Sequence, residues 1–121
     1  MKLLATLLVL FVAVSHVGIM ILEMFYWDHP VGREIFSMTP EQSATSAVLA
    51  MNQGLYNGFL AAGLFWGLLS SRFDVKRFFL CCVIVAGVFG AATAKGSILF
   101  TQAMPAAIAL LVLYLANRQS D

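Results

Sequence analysis

Apolar positions do not alternate along this chain. They run in four long uncharged stretches, separated by short segments that hold nearly all of the charge. The first runs from Leu3 to Leu22, between Lys2 and Glu23; the second lies between Glu41 and Arg72. The third runs from Phe78 to Ala94 and the fourth from Gly96 to Asn117. Crossing the hydrocarbon of a bilayer takes roughly 20 helical residues, with about 17 as the short limit. All four stretches qualify, the third narrowly. A segment in lipid must satisfy its own backbone hydrogen bonds, which selects helix over open strand. The pattern predicts an all-α protein, a four-transmembrane-helix bundle. Its helices are expected at about 3–27, 41–69, 77–95 and 100–117 of a single integral membrane domain, 1–121.

The ends of the stretches fit this reading. Phe25, Tyr26 and Trp27 close the first as an interfacial aromatic belt does. Thr39-Pro40-Glu41-Gln42 has the form of a helix start. Thr39 is the N-cap, Pro40 stands at the first helical position and Gln42 completes a capping box. Ser70 to Lys76 reads as a tight polar turn that makes the second and third helices antiparallel neighbours, and the connector around Lys95 and Gly96 is very short. Lys2, the leucine-rich core and Ala13-Val14-Ser15 also resemble a cleavable signal peptide. The apolar run continues past that point through Val17, Ile19, Ile21 and Leu22, and three more stretches follow, so the first is expected to stay as a helix.

Composition strengthens the membrane reading. Hydrophobic residues make up 61% of the chain and charged residues 11%, where soluble domains are nearer roughly half and a quarter. A chain of 121 residues buries too little surface to hide that much apolar area from water. The net charge of +1 gives no basic patch for nucleic acid, so the expected partner is the lipid bilayer. Cys81 and Cys82 are adjacent on one apolar run and point about 100° apart on a helix, so no bridge between them is expected. Lys2, Arg72, Lys76, Arg77 and Arg118 fall on one side of four spans, and Arg33 and Lys95 on the other. That imbalance predicts that both termini are cytoplasmic, in an inner (plasma) membrane protein that crosses several times.

Polar side chains at membrane depth are costly and normally face protein or a wet cavity. His16 and Glu23 are two turns apart on the first helix, on one face and about 10 Å apart along the axis. Gln53 and Asn57 share a face of the second helix, and Asn52 and Tyr56 form a second pair beside it. Lys95 closes the third helix and Gln102 lies in the outer half of the fourth. With the orientation above, these groups collect in the outer half of the bilayer, which predicts a polar pocket there. Gly54, Gly58, Ala61, Ala62 and Gly63 are small enough to let another helix approach. A carboxyl at the depth of Glu23 is kept either as the neutral acid or against a cation such as Lys95. The amides serve equally well as simple interhelical hydrogen bonds. No metal site is expected, because one His and one Glu fall short of the three or four ligands that zinc takes.

His16, the run Glu23-Met24-Phe25-Tyr26-Trp27, Pro30, Gly32-Arg33 and Phe36 carry a resemblance. It continues in Asn52-Gln53-Gly54-Leu55-Tyr56-Asn57-Gly58-Phe59-Leu60-Ala61-Ala62-Gly63 and in Gln102-Ala103-Met104-Pro105-Ala106. In these blocks the chain resembles domain of unknown function 1304, a family of small membrane proteins. The long middle block is the specific one. Tyr26 stands where the pattern has a small residue. The resemblance implies a four-helix bacterial membrane protein and carries no activity with it.

Three function classes remain open from sequence. The first is binding or conversion of an apolar or amphipathic small molecule, with His16 and Glu23 as the acid–base pair and Asn52, Gln53, Tyr56, Asn57, Lys95 and Gln102 as binding residues. The second is a structural or accessory subunit whose polar groups lock the helices together. The third is a small proton-linked transporter component, built as a homo-oligomer. The sequence names no cofactor.

Overall fold

Lipid-compatible stretches become helices, and every regular element is helical among residues 1–120, which the computed structural model describes. Asp121, the last residue of the expected domain, lies outside them. The α-helices are α1 (Lys2–Phe25), α2 (Pro30–Ile35), α3 (Pro40–Leu69), α4 (Phe73–Thr93) and α5 (Met104–Arg118). A π turn, Leu99–Ala103, leads into α5. Three segments are long and apolar enough to cross a membrane: Lys2–Phe25, Phe73–Thr93 and Leu99–Arg118. The remaining stretch, α3, is 30 residues long but does not reach that apolarity. Its first half carries Gln42, Ser43, Thr45, Ser46, Asn52 and Gln53, which dilute the apolar run.

Local chemistry sets the helix ends. The capping box before α3 is present: the Gln42 backbone N–H donates to Thr39 Oγ1 at 3.2 Å, and the Thr39 N–H donates to Gln42 Oε1 at 2.9 Å. Two serines take the left-handed conformation that stops a helix, Ser37 at φ 53° after α2 and Ser71 at φ 54° after α3. Each is followed by a bond that reaches back five residues, Met38 N–H to Arg33 O and Arg72 N–H to Gly67 O. The turn between α3 and α4 is shorter than the sequence pattern suggests. Asp74 and Lys76 already belong to α4, and Arg72 pairs with Asp74 at its start. The charge marks the end of the apolar run and not the end of the helix. Before α5, Pro105 has no N–H to give to an α-turn, and its ring clashes with the preceding turn. The wider π turn lies directly upstream.

The chain divides into two compact units, Met1–Val14 with Leu60–Asp121, and Ser15–Phe59. In the first, four helical segments share one core. Ala5, Val9, Val12 and Ala13 come from α1, Leu64 from α3, Leu80 and Val83 from α4, and Ala106, Ala109, Leu113 and Ala116 from α5. The α5 residues repeat at helical spacing, and three of the four are alanine, so the helix backbone approaches its neighbours closely. Gly87 marks the tightest approach of one helical backbone to another in this unit: a Cβ there would lie 2.7 Å from the Ala103 backbone nitrogen and 2.9 Å from its Cβ. Gly67 likewise seats Lys76, whose Cγ lies 2.6 Å from the same construction. In the second unit, the later part of α1, α2 and the first half of α3 are brought together by the contacts described in the next subsection.

Gly87→Val should force α4 off the π turn and cost about 1–3 kcal/mol. Gly18→Ala, where a Cβ meets nothing within 4 Å, should be neutral or gain up to about 1 kcal/mol. Thermal unfolding of the two variants in detergent checks the contrast.

Candidate functional site

In the second unit, α1 offers Met20, Glu23 and Met24, which lie on one face at spacings of three and four residues. Facing them on α3 are Gly54 and Gly58, one turn apart. A Cβ at Gly54 would sit 2.6 Å from Met24 Cγ and 3.1 Å from Glu23 Cβ. One at Gly58 would sit 2.6 Å from Met20 Sδ. Two glycines thus admit three long side chains, and the approach brings a carboxyl against an amide. Asn57 Nδ2 donates to Glu23 Oε1 at 2.7 Å and to the Gln53 carbonyl oxygen of its own helix at 3.2 Å. Both amide hydrogens are therefore in use. The second carboxyl oxygen, Oε2, stands outside this bond. Glu23 as a whole is half-buried.

Beyond the end of α1 the chain is held by a polar and aromatic knot. Trp27 Nε1 donates to Ser46 Oγ at 2.8 Å, and its ring packs on Phe36 with centroids 4.7 Å apart. Asp28 Oδ1 accepts from Ser43 Oγ at 2.7 Å and pairs with Arg33 at 3.0 Å. Ser43 is fully buried. His29 caps α2, its Nδ1 accepting from the Val31 N–H at 3.1 Å, and Pro30 follows at the first helical position. Gly32 lies against the carbonyl oxygens of Tyr26 and Trp27, where a Cβ has no room.

The residues singled out from sequence are distributed as follows. Glu23, Asn57 and the backbone of Gln53 come together. The Gln53 side chain is exposed. Asn52 and Tyr56 are on a different, exposed face of α3: Asn52 donates to the Val48 carbonyl at 3.0 Å, and Tyr56 packs near Phe59. His16 is buried, at 2% exposure, two turns below Glu23. Lys95 and Gln102 belong to the other unit, Lys95 exposed in the connector after α4 and Gln102 half-buried in the π turn. Sequence reasoning passed over α2 and the Asp28–Ser43–Arg33 network. The signal for α2 was legible, since His29-Pro30 has the form of a cap followed by proline. The network joins residues up to 15 positions apart, and no local pattern reveals it. Among the described residues no group of three or more His, Cys, Asp or Glu is arranged to hold a metal ion.

The family described as protein of unknown function (DUF1304) matches residues 10–114, nearly the whole chain. The chain belongs to this family. The DUF1304 match includes His16, Glu23, Asn57, Gln102 and the Asp28–Arg33–Ser43 network. A curated relative is the uncharacterized protein YpaA of Lactococcus lactis subsp. lactis (strain IL1403). It is 32% identical over 115 residues, covering 92% of this chain and 97% of its own length. No solved structure matches. Membership thus agrees with the resemblance carried by the Asn52–Gly63 block, and it assigns no chemistry to the residues above.

Gly32→Ala should open the knot, because the added methyl meets two backbone carbonyl oxygens. Arg33 should then become cleavable by trypsin in the folded, detergent-solubilised protein, with the wild type resistant at that bond. Equal cleavage of both would show that the close approach is dispensable.

Proposed function

We propose that this protein is a multi-pass membrane protein that binds an amphipathic small molecule through Glu23. Asn57 orients the carboxyl, and the side chain of Gln53 adds a second polar contact. The observation that carries the reading is the carboxyl's division of labour. One oxygen is fixed by Asn57, and the other stands outside that bond, on a half-buried residue of a helix long and apolar enough to lie in a membrane. A polar atom at such depth needs a partner. The polar end of an amphipathic molecule supplies one, while its apolar part stays in lipid. His16 is buried, so its role in this reading is to position α1 rather than to meet the ligand.

The Glu23–Asn57 bond and the fit of Gly54 and Gly58 against Met20 and Met24 favour a second reading. In it the polar pair only fastens α1 to α3, in an accessory subunit. Mass spectrometry of small molecules that co-purify with the protein in native lipid separates the two. Binding predicts a species carried by the wild type and lost in Glu23→Gln, with little change in melting temperature. Fastening predicts no such species and a loss of about 0.6–2 kcal/mol, the range for polar contacts between membrane helices.

The proposed topology has four spans, α3 included, with both termini cytoplasmic in the plasma membrane. At 30 residues α3 exceeds the roughly 20 needed, and its polar first turns would stand in the outer interface. Single cysteines at Glu34 and Ser70, in a background lacking Cys81 and Cys82, test this with a membrane-impermeant thiol reagent. Glu34→Cys should label in intact cells and Ser70→Cys only after permeabilisation. Labelling of both from the same side would mean that α3 does not cross.

A further inference from the structure

The first unit contains a cavity that none of the sequence motifs anticipated. It measures about 440 Å³, within the roughly 300–1,000 Å³ of small-molecule sites. The start of α1, the α3–α4 turn, the start of α4 and the last turns of α5 surround it. Ala5, Phe73, Leu113 and Ala116 give it an apolar wall. Lys2, Lys76, Ser71 and Asn117 supply the donors around it.

Its chemistry is one-sided. Two lysines line it and no described carboxylate does. The ion pairs among the described residues are Arg33–Asp28 and Arg72–Asp74. Asp74, the acid closest in sequence to Lys76, is therefore already taken by Arg72. Lys76 is also held in place: its stem lies on Gly67, where there is no room for a Cβ. Two ammonium groups with no ion-pair partner among the described residues, and a hydroxyl and an amide beside them, make a site for an anion with several acceptor oxygens, and phosphate is the common one. The apolar wall narrows the choice. A free phosphate has no use for Phe73 and Leu113, whereas a glycerophospholipid has an apolar part directly below its phosphate. The cavity also lies where three membrane-length helices have their ends, Lys2–Phe25 and Phe73–Thr93 at their starts and Leu99–Arg118 at its finish. That is the depth of the headgroups.

We propose that this cavity, between Lys2 and Lys76, holds the phosphate of an anionic phospholipid headgroup. Basic pockets between membrane helices recognise anionic lipids by the same combination. The site is independent of Glu23 and Asn57, so the proposal stands whatever those residues do.

Thermal unfolding of the full chain in neutral detergent tests it, with three additives titrated separately: short-chain phosphatidylglycerol, short-chain phosphatidylcholine and sodium phosphate. Phosphatidylglycerol should raise the melting temperature saturably, and the other two should not. In Lys2→Gln/Lys76→Gln the concentration for half the effect should rise roughly ten- to thirtyfold, from the loss of two lysine–headgroup attractions. Arg77→Gln removes an equal charge from α4 outside the cavity and should respond as the wild type does. Should the double variant fail to fold, Asn117→Leu takes its place, with a weaker response to phosphatidylglycerol expected. An unchanged response in the cavity variant, an equal loss in Arg77→Gln, or no response in the wild type would each overturn the proposal. An equal response to sodium phosphate would overturn the lipid assignment and give the site to a soluble anion.

Discussion

A helix in hydrocarbon gains nothing by moving a leucine from lipid onto another leucine, because the two surroundings are alike. Close backbone approach and polar contacts must then hold helices together, and in this protein glycine and alanine provide the first. Gly54 and Gly58 admit Met20, Glu23 and Met24. Gly87 admits Ala103, and the alanines of α5 let it into a shared core. The large aliphatic and aromatic residues that dominate the composition are mostly turned outward. Leu3, Leu69, Phe78, Val85 and Phe89 are all exposed. For a water-soluble chain this would be an inside-out arrangement. For a chain solvated by lipid it is the ordinary one.

The polar contacts are unevenly shared. In the first unit, core contacts are almost entirely between apolar side chains. In the second, a hydrogen-bonded pair and a knot of Trp27, Asp28, Arg33, Ser43 and Ser46 supplement a smaller set of buried apolar groups. That difference matches the polar first half of α3, which a purely apolar neighbour could not satisfy. It also separates what is fixed from what is exposed. The knot spends its donors internally, whereas Glu23 commits one oxygen to Asn57 and the Gln53 side chain is exposed.

Much of this was legible in the sequence, and what was not follows a rule. Helical class, the capping box at Thr39 and the family came from patterns contained within one segment. The start of α4 was misjudged because Asp74 and Lys76 were read as a turn, although charge beside an apolar run does not end the hydrogen-bond ladder of a helix. Of the proposed site, helical spacing accounts for the bond from Asn57 to the Gln53 carbonyl one turn back. That Glu23 would meet Asn57 depends on the rotation of two helices about their axes, which no spacing within either helix encodes. The cavity beside Lys2 and Lys76 is still further out of reach, since its walls come from three separated parts of the chain.

The Glu23–Asn57 bond has a directional consequence. Asn57 cannot turn its amide over without setting its own oxygen against the Gln53 carbonyl, so it always presents N–H to Oε1. Oε1 is thereby an acceptor in either state of the carboxyl. A proton on Oε2 leaves that bond undisturbed. The charged and the neutral acid can therefore share one arrangement of the Asn57 side chain, and a change of protonation need not turn the amide that joins α1 to α3.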